Sequence, residues 1–386
     1  MPTLEEQLAN LPPTVRALLE AHAFDATRVV SLASDLQSKT PAEERRDARN
    51  RVRGDVRPPE PHELLDVPPE GSAEHTRLRD LGAAALRNGE LAFCVMAGGM
   101  ATRMGGVVKA LVEAFDGMTL LDLRLLENAV LAERAGRPIP LWLMTSDATD
   151  QKLREALNER KAGAHVGTFA QNLGVRLAPT GDVFKDDQGH PSTHATGHGD
   201  LPDALKRSGL LRDFRASGGK YVWITNVDNL GATVDEAILG LFIDQEKASV
   251  MVEVCPKEKG DRGGIPVHAE GRLQVLEEFR LPRGFDAEAV RVFNTNTFLV
   301  RAEALETVTI PWTYFEVEKK VDGRPAIQLE RLLQELTAHL PATYLRVSRD
   351  AVHSRFEPVK DHDELARRRD AIRATARARG IVRGAP

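Results

Sequence analysis

The sequence predicts an α/β protein in which helices cover a mixed, mostly parallel sheet and a helical extension precedes this core. From residue 91 onward, apolar runs of strand length alternate with helical patterns. Runs that are apolar throughout are typical of strands buried on both faces, as in parallel sheets. Before residue 89 the sequence is dominated by helical spacing, charge and proline.

Residues 1–88 are predicted to form the helical extension. Leu4, Leu8 and Leu11 have helical spacing, and the Pro12-Pro13 pair divides the region into two short helices. Residues 58–69 contain five prolines, which indicate an extended connector. A further helix is expected over residues 72–88.

A core domain is predicted over residues 89–362, followed by a C-terminal helix and tail over residues 363–386. Ser146 is expected to cap one helix of the core, and Thr233 with Glu236 has the spacing of a capping box for another. Leucines at helical spacing in residues 328–340 predict a helix that ends at Pro341. The expected strands are residues 91–96, 141–145, 221–225, 249–254 and 292–300.

Composition limits the possible partners. The net charge is −5, so the chain lacks the basic excess that drives non-specific binding to nucleic acid or anionic membranes. No apolar stretch is long enough to span a membrane, and the first ten residues lack the apolar core of a signal peptide. Two widely separated cysteines fit a reducing compartment. We therefore expect a cytoplasmic protein. The sequence does not imply an oligomer, and a monomer is the favoured expectation.

A glycine-rich loop follows the first predicted core strand. Gly98 and Gly99 allow a sharp turn and a close approach of backbone amides to a ligand. Arg103 and Lys109 add positive charge, so the loop suits the phosphates of a nucleotide. The pattern is neither a P-loop nor GxGxxG. On its own, an ordinary strand-to-helix turn explains the loop equally well.

Two further segments carry polar groups in suitable places. Gly197 and Gly199 flank His198, which leaves that side chain unobstructed, although a simple turn histidine is the alternative. The strand at 221–225 leads directly into Asp228. Ligands of open α/β sheets collect at the carboxyl ends of strands, and a carboxylate there is a suitable ligand for Mg²⁺. A turn or capping aspartate is the alternative.

Three weaker signals lie later in the chain. Asn294 and Asn296 are predicted to share one face of a strand, where they would bind sugar hydroxyls or satisfy each other. Glu277 is a second candidate for sugar hydroxyls, or a solvated strand residue. Lys360 precedes Asp361, which with Glu364 is expected to cap the last helix, a favourable place for an anion. A surface lysine is the alternative.

Taken in order, these segments resemble the UDP-glucose pyrophosphorylase family of nucleotidyltransferases. The loop ATRMGG, with Arg103, is closer to UDP-N-acetylglucosamine pyrophosphorylases and to simpler bacterial sugar nucleotidyltransferases. The segments that carry the resemblance are MAGGMATRMG, FAQ at 169–171, GHGDLPDAL, ITNVDNLGATVD, GGIPV, LEEFRLP, FNTNT, AIQLE and SRFEPVK.

The resemblance implies a Rossmann-like nucleotidyltransferase core and a set of site residues. It implies nucleotide contacts from Gly98, Gly99, Gln171 and Gly197. It implies sugar-phosphate contacts from His198, Gly264, Glu277, Asn294 and Asn296. It implies Asp228 as the Mg²⁺ ligand, and catalytic roles for Arg103, Lys109 and Lys360.

The implied reaction transfers a uridylyl group from UTP to a sugar 1-phosphate, with glucose 1-phosphate as the expected acceptor and Mg²⁺ as the cofactor. The same reaction on N-acetylglucosamine 1-phosphate or another sugar is one alternative. A glycosyltransferase that uses a UDP-sugar is a second, although such enzymes place an aspartate where Asn226 stands. A non-catalytic UDP-sugar sensor, with residues 1–88 as a partner-binding module, is a third.

Overall fold

An eight-stranded sheet forms the centre of the protein. The computed structural model describes residues 2–38, 40–101, 104–258 and 260–382. Seven of the eight strands run parallel, and Val292–Arg301 is antiparallel to both of its neighbours. From one edge to the other, the strands are Leu64–Asp66, Ala342–Arg346, Val250–Pro256, Val292–Arg301, Tyr221–Asn226, Leu91–Met96, Leu141–Thr145 and Val166–Ala170.

The structure confirms the α/β class and the five predicted strands. Leu91–Met96 and Leu141–Thr145 are buried at every residue, which explains why their sequences are apolar except at Thr145. Three strands of the sheet were not predicted: Leu64–Asp66, Val166–Ala170 and Ala342–Arg346. All three have partly exposed residues, so their sequences do not form continuous apolar runs.

Along the chain, helices alternate with the strands, and several helices precede the sheet. Ser146 and Asp361 are N-caps, as predicted. The predicted Thr233–Glu236 capping box is wrong, because Asp235 caps the next helix by accepting from the Ile238 N–H. The α-helices are Leu4–Ala9, Pro13–Ala21, Ala26–Ala33, Ala42–Asn50, Ala73–Arg87, Leu120–Ala135, Asp147–Glu159, Leu201–Ser208, Leu210–Ala216, Glu236–Asp244, Ala302–Thr307, Leu336–His339 and His362–Ala378.

The predicted helix over residues 328–340 is wrong at its start, which is extended, and is otherwise replaced by the short helical segments Leu333–Glu335 and Leu336–His339. Arg324–Glu330 is a strand that pairs with Phe315–Val321 in an antiparallel hairpin. Asp322 and Gly323 at the turn both have positive φ, as the tight turns that match strand twist require. Only Leu336–His339 is α-helical. The leucine spacing fits a helix, but strand pairing with residues 315–317 determines the backbone of residues 328–330.

The region before residue 89 contains more than the two short helices and connector that the sequence predicts. The break at Pro12-Pro13 is present, and Asp25 caps a third helix, Ala26–Ala33. Within the proline-rich stretch, Leu64–Asp66 joins the edge of the central sheet. The predicted helix over residues 72–88 is present as Ala73–Arg87 and packs on Glu236–Asp244.

Two apolar clusters stabilise the protein. The larger one lies on the two faces of the central sheet. The smaller one joins the first helices to later parts of the chain, with Leu4, Leu8 and Leu19 packed with Leu173 and Leu329. The boundary at residue 88 stays a prediction. Among the described residues, no helix has both the length and the apolar character needed to cross a membrane.

Candidate functional site

A cavity of about 570 Å³ lies beside the carboxyl ends of four neighbouring parallel strands. Residues that end or follow these strands line it, including Met96, Met144, Gln171 and Asn226. Val292–Arg301 runs in the opposite direction, so its first residues lie beside the carboxyl ends of the parallel strands. The cavity has the size of a small-molecule site and lies where open α/β sheets bind their ligands.

The glycine-rich loop forms one wall of the cavity. Gly98 packs against Gln171, and a Cβ on Gly98 would lie 2.8 Å from the Gln171 Oε1 atom. The Ser146 hydroxyl donates to the Gly98 carbonyl at 2.8 Å and fixes this turn on the neighbouring helix. The loop therefore presents its backbone and the Gln171 amide together on one wall of the cavity.

The predicted catalytic cation and the predicted metal ligand contact each other directly. Lys109 Nζ lies 2.7 Å from Asp228 Oδ2. The Val359 N–H donates to the same Asp228 oxygen at 3.3 Å, which brings the segment with Lys360 beside the carboxylate. The exposed Lys360 side chain lines the cavity. Two lysines and one carboxylate thus form a charged group in this wall.

His198 faces the cavity as a neutral imidazole. The Leu333 N–H donates to His198 Nδ1 at 2.9 Å, so Nδ1 is an acceptor and the proton lies on Nε2. Burial lowers the pKa of His198 to about 4, which keeps the ring uncharged at neutral pH. His198 can donate a hydrogen bond to a ligand without carrying positive charge.

The turn before His198 requires glycine at position 197. Gly197 has φ +102°, and a Cβ there would lie 2.4 Å from the Arg331 carbonyl oxygen. Arg331 in turn pairs with the buried Asp200, which also accepts from Thr196 and from the Asn172 N–H. These contacts place His198 on a rigid turn. Gly197 itself supports the cavity wall and does not line it.

Asn294 and Asn296 both line the cavity, but not as neighbours on one face of a regular strand. The strand pairing is irregular between Val252 and Val254, and Asn296 has φ +61° in this bulge. Its N–H donates to Asn294 Oδ1 at 2.8 Å, and its side-chain amide donates to Asn226 Oδ1 at 3.1 Å. Bulges often redirect side chains at functional sites, and this one brings both amides to the cavity.

Glu277 lies in the cavity wall, so the alternative that it is a solvated strand residue is wrong. It pairs with Gly264 across the open end of a hairpin, and both residues line the cavity. Burial raises the pKa of Glu277 to about 7, although Gln334 donates to its carboxyl group at 2.7 Å. At neutral pH the group is therefore present both as an acceptor and as a protonated donor.

The structure brings together eleven of the thirteen residues predicted for the site. Gly197 lies behind the wall, and Arg103 lies outside the described residues. The individual roles stay predictions. The eleven residues that line the cavity are Gly98, Gly99, Lys109, Gln171, His198, Asp228, Gly264, Glu277, Asn294, Asn296 and Lys360.

Sequence reasoning missed several residues that line the same cavity. Arg262 is an exposed cation in the wall, and Asp261 beside it pairs with Arg349. The rings of Phe293 and Phe356 pack edge to face, with centroids 5.0 Å apart. Arg262 directly precedes the segment GGIPV, and the two phenylalanines lie within FNTNT and SRFEPVK. All three residues lie within or beside segments that carry the family resemblance, and this position is the sequence signal that could have identified them.

The site fits a metal ion that is coordinated mainly by the phosphates of a bound substrate and only in part by protein side chains. Among the residues that the structure describes, no three His, Cys, Asp or Glu side chains are grouped to bind a metal ion. Asp228 presents a carboxylate oxygen to the cavity. Mg²⁺ commonly binds through one or two carboxylates, substrate phosphates and water. The donors present therefore fit Mg²⁺ bound with a phosphate ligand.

The fold and the cavity define an open α/β protein whose small-molecule site lies at the carboxyl ends of its parallel strands. Comparison with known protein families identifies the particular family within this class. The chain belongs to the UTP–glucose-1-phosphate uridylyltransferase family, whose profile matches residues 57–375.

Individual relatives agree with this assignment. A UTP–glucose-1-phosphate uridylyltransferase from Musa acuminata is 33% identical over 331 residues, covering 79% of this chain and 66% of the relative. A relative from Hordeum vulgare with the same name is 32% identical and is covered over 65% of its length. The chain thus spans slightly less than two thirds of the length of these curated relatives.

Solved structures share the fold. A UDP-glucose pyrophosphorylase from Leishmania major, solved with UDP-glucose, aligns with a TM-score of 0.61 and 26% identity, over 73% of this chain and 66% of that one. A UDP-N-acetylglucosamine pyrophosphorylase from Trypanosoma brucei aligns with a TM-score of 0.68 and 24% identity, over 89% and 81% of the two chains. The second similarity concerns the fold alone.

Proposed function

We propose that this protein transfers a uridylyl group from UTP to glucose 1-phosphate and releases pyrophosphate. One observation carries the proposal: three chemically distinct groups of residues share one cavity. The glycine loop with Gln171 suits a nucleobase, Lys109 with Asp228 and Lys360 suits phosphates, and Glu277 with Asn294 and Asn296 suits sugar hydroxyls. Family membership and the UDP-glucose complex of the Leishmania relative support glucose as the sugar.

The reaction needs no general base. An oxygen of the sugar 1-phosphate attacks the α-phosphorus of UTP; the new P–O bond forms as the bond to the bridging oxygen breaks, and pyrophosphate leaves with that electron pair. A phosphate monoester has a second pKa near 6, so the attacking oxygen is already an anion at pH 7. Neutral His198 is suited to donate a hydrogen bond from Nε2 rather than to remove a proton.

Catalysis then depends on positioning and on charge neutralisation. Lys109 and Lys360 are the cations of the charged group, and Arg262 adds another in the wall. Asp228 would hold Mg²⁺, which when bound supplies further positive charge beside the phosphates. Lys109 pairs with Asp228, and if Asp228 held Mg²⁺, the Lys109 ammonium would be available to the phosphates.

The direct test is pyrophosphate release from UTP and Mg²⁺ with separate sugar 1-phosphates. We expect release with glucose 1-phosphate and much less with N-acetylglucosamine 1-phosphate or galactose 1-phosphate. ATP and GTP in place of UTP control for the nucleobase, and Asp228→Asn controls for the site. A preference for another sugar would keep the reaction and change the substrate. Binding of UDP-glucose without release from any sugar would contradict the proposal and support a sensor.

A further inference from the structure

A buried ion pair lies behind the loop that carries Asp228. Arg124 and Glu127 are three residues apart on the helix Leu120–Ala135, and their charged atoms are 2.6 Å apart. Arg124 is fully buried and Glu127 is 3% exposed. Burying two charges costs more than their attraction returns unless further hydrogen bonds satisfy both groups. The other partners of this pair therefore indicate what it stabilises.

The guanidinium of Arg124 contacts the backbone on both sides of Asp228. It donates to the Asn226 carbonyl oxygen at 2.9 Å and to the Asn229 carbonyl oxygen at 2.6 Å. Both bonds come from Nη2, while Nη1 donates to Glu127, so the planar guanidinium serves the loop and the ion pair at once. A lysine ammonium is a single point charge on a flexible stem and lacks this fixed geometry. Arg124 thus fixes the turn on which Asp228 stands.

Glu127 secures the other end of the same loop. Its Oε1 atom accepts from the Val234 N–H at 3.0 Å, while Oε2 bonds Arg124. The Asn229 side chain adds a link to the segment before Lys360: it donates to the Arg355 carbonyl and accepts from the Glu357 N–H. The loop 226–234 is therefore held from one helix at both ends and tied to the Lys360 segment in between.

We propose that Arg124 is a positioning residue for Asp228, and that Glu127 keeps the Arg124 guanidinium in place. This inference rests on the proposed role of Asp228 as the metal ligand. The pair does not line the cavity. Its effect is to hold the carboxylate at a fixed distance from Lys360, so that metal and phosphate are bound in the geometry that the transfer needs.

The test compares this pair with a second buried pair away from the cavity. Arg45 and Glu316 form a two-pronged ion pair with side-chain exposures of 9% and 0%, in the region where the first helices meet the 315–330 hairpin. The double variants R124M/E127Q and R45M/E316Q both remove a buried pair without leaving one charge unpaired. Arg124→Lys is the conservative variant, since it keeps the charge and loses the planar guanidinium.

The measurements are the melting temperature, kcat, KM for both substrates, and the affinity for Mn²⁺ with and without UTP. UDP-glucose binding without metal checks the remainder of the cavity. We expect both double variants to lower the melting temperature. Only R124M/E127Q should lower kcat and weaken Mn²⁺ binding, by about tenfold or more, because only that pair positions Asp228. Arg124→Lys should fall between this variant and the parent.

The inference is overturned if R124M/E127Q matches R45M/E316Q in kcat and in Mn²⁺ affinity. If the double variant does not fold, Arg124→Lys decides in the same way: unchanged kcat and Mn²⁺ affinity contradict the proposal. If the parent protein releases no pyrophosphate, the proposed function fails. Mn²⁺ binding to the parent and to Arg124→Lys then still shows whether Arg124 positions Asp228.

Discussion

Asp228 is the residue on which most of the proposed chemistry depends, because its carboxylate meets Lys109, the Val359 N–H and the cavity at once. Asp228→Asn keeps the size of the side chain and an oxygen that accepts from Val359, but it removes the charge. We expect kcat to fall by about 100-fold or more with little change in stability, because charge stabilisation of the transition state is lost.

The assay for Asp228→Asn is pyrophosphate release, with circular dichroism and UDP-glucose binding as checks of the fold. Asp213→Asn is the matched control, since Asp213 is exposed and pairs with its neighbour Arg212 outside the cavity. Activity of Asp228→Asn close to that of Asp213→Asn would remove Asp228 from the mechanism.

The buried, neutral His198 leads us to expect that the free energy of unfolding depends on pH. Its pKa is lowered from 6.5 to about 4 by burial, so the folded protein keeps it neutral while the unfolded chain takes up a proton below pH 6.5. Its neutral burial therefore becomes a cost as the pH falls from 7 towards 4, by about 1–2 kcal/mol at pH 5. Urea unfolding of the parent and of His198→Asn should show a stability difference that moves against the parent by this amount between pH 7 and pH 5.

The same difference at both pH values would mean that His198 has the same pKa in the folded protein as in the unfolded chain, which would contradict the lowered pKa. Glu277 titrates in the opposite sense, since its raised pKa weakens folding as the pH rises from about 4.5 to 7. Comparing two variants that both contain Glu277 cancels this contribution.

At the level of elements, the turn into Leu201–Ser208 fixes His198 through backbone contact with Arg331. Gly197→Ala adds a Cβ at φ +102° and within 2.4 Å of the Arg331 carbonyl oxygen. Gly218→Ala is the control, because Gly218 has φ +95° and open space around it. Strain alone should cost each variant about 1–2 kcal/mol, and the collision should make Gly197→Ala clearly less stable and less active. Equal melting temperatures for the two variants would contradict this.

The elements also show which parts of the fold were accessible from sequence. Leu91–Met96 and Tyr221–Asn226 are central strands, and burial on both faces makes the first apolar throughout and the second apolar over residues 221–224. The glycine loop and Asp228 follow them directly, so this wall of the site could be predicted. The error at residues 328–330 has a physical cause: leucine spacing indicates a buried face, but a local pattern cannot show the partner strand at Phe315–Val321.

The remaining parts of the site depend on distant contacts. The position of Asn296 results from a bulge opposite Glu253, and the pKa of Glu277 results from burial near Gln334. Arg124 was missed because it occupies an ordinary position in a helix, and only the folded chain brings it to the carbonyls of Asn226 and Asn229. No spacing in the sequence indicates these contacts.

For the whole molecule, the first helices are integrated with the core rather than separate from it. Their leucines cover Leu173, Leu177 and Leu329, and Arg45 pairs with buried Glu316. Removing residues 1–50 would expose this cluster, so we expect a melting temperature at least about 10 °C lower and aggregation on heating. Differential scanning calorimetry and light scattering measure both effects.

Arg46→Ala is the control for this truncation, because the Arg46–Glu318 pair is exposed and should contribute little. A truncated protein as stable as the parent would show that the first helices form an independent module, as the sensor alternative requires.

The edge strand Leu64–Asp66 has a consequence for how the protein is made. Its sheet partner is Ala342–Arg346, so this pairing cannot form until nearly 280 further residues have been synthesised. Val250–Pro256 pairs with Val292–Arg301 on one side, and its partner on the other side, Ala342–Arg346, is synthesised later. Contacts between such distant segments slow folding and leave strand edges open in the meantime. During translation, we therefore expect this half of the sheet to stay incomplete, with open strand edges, until Ala342–Arg346 has left the ribosome.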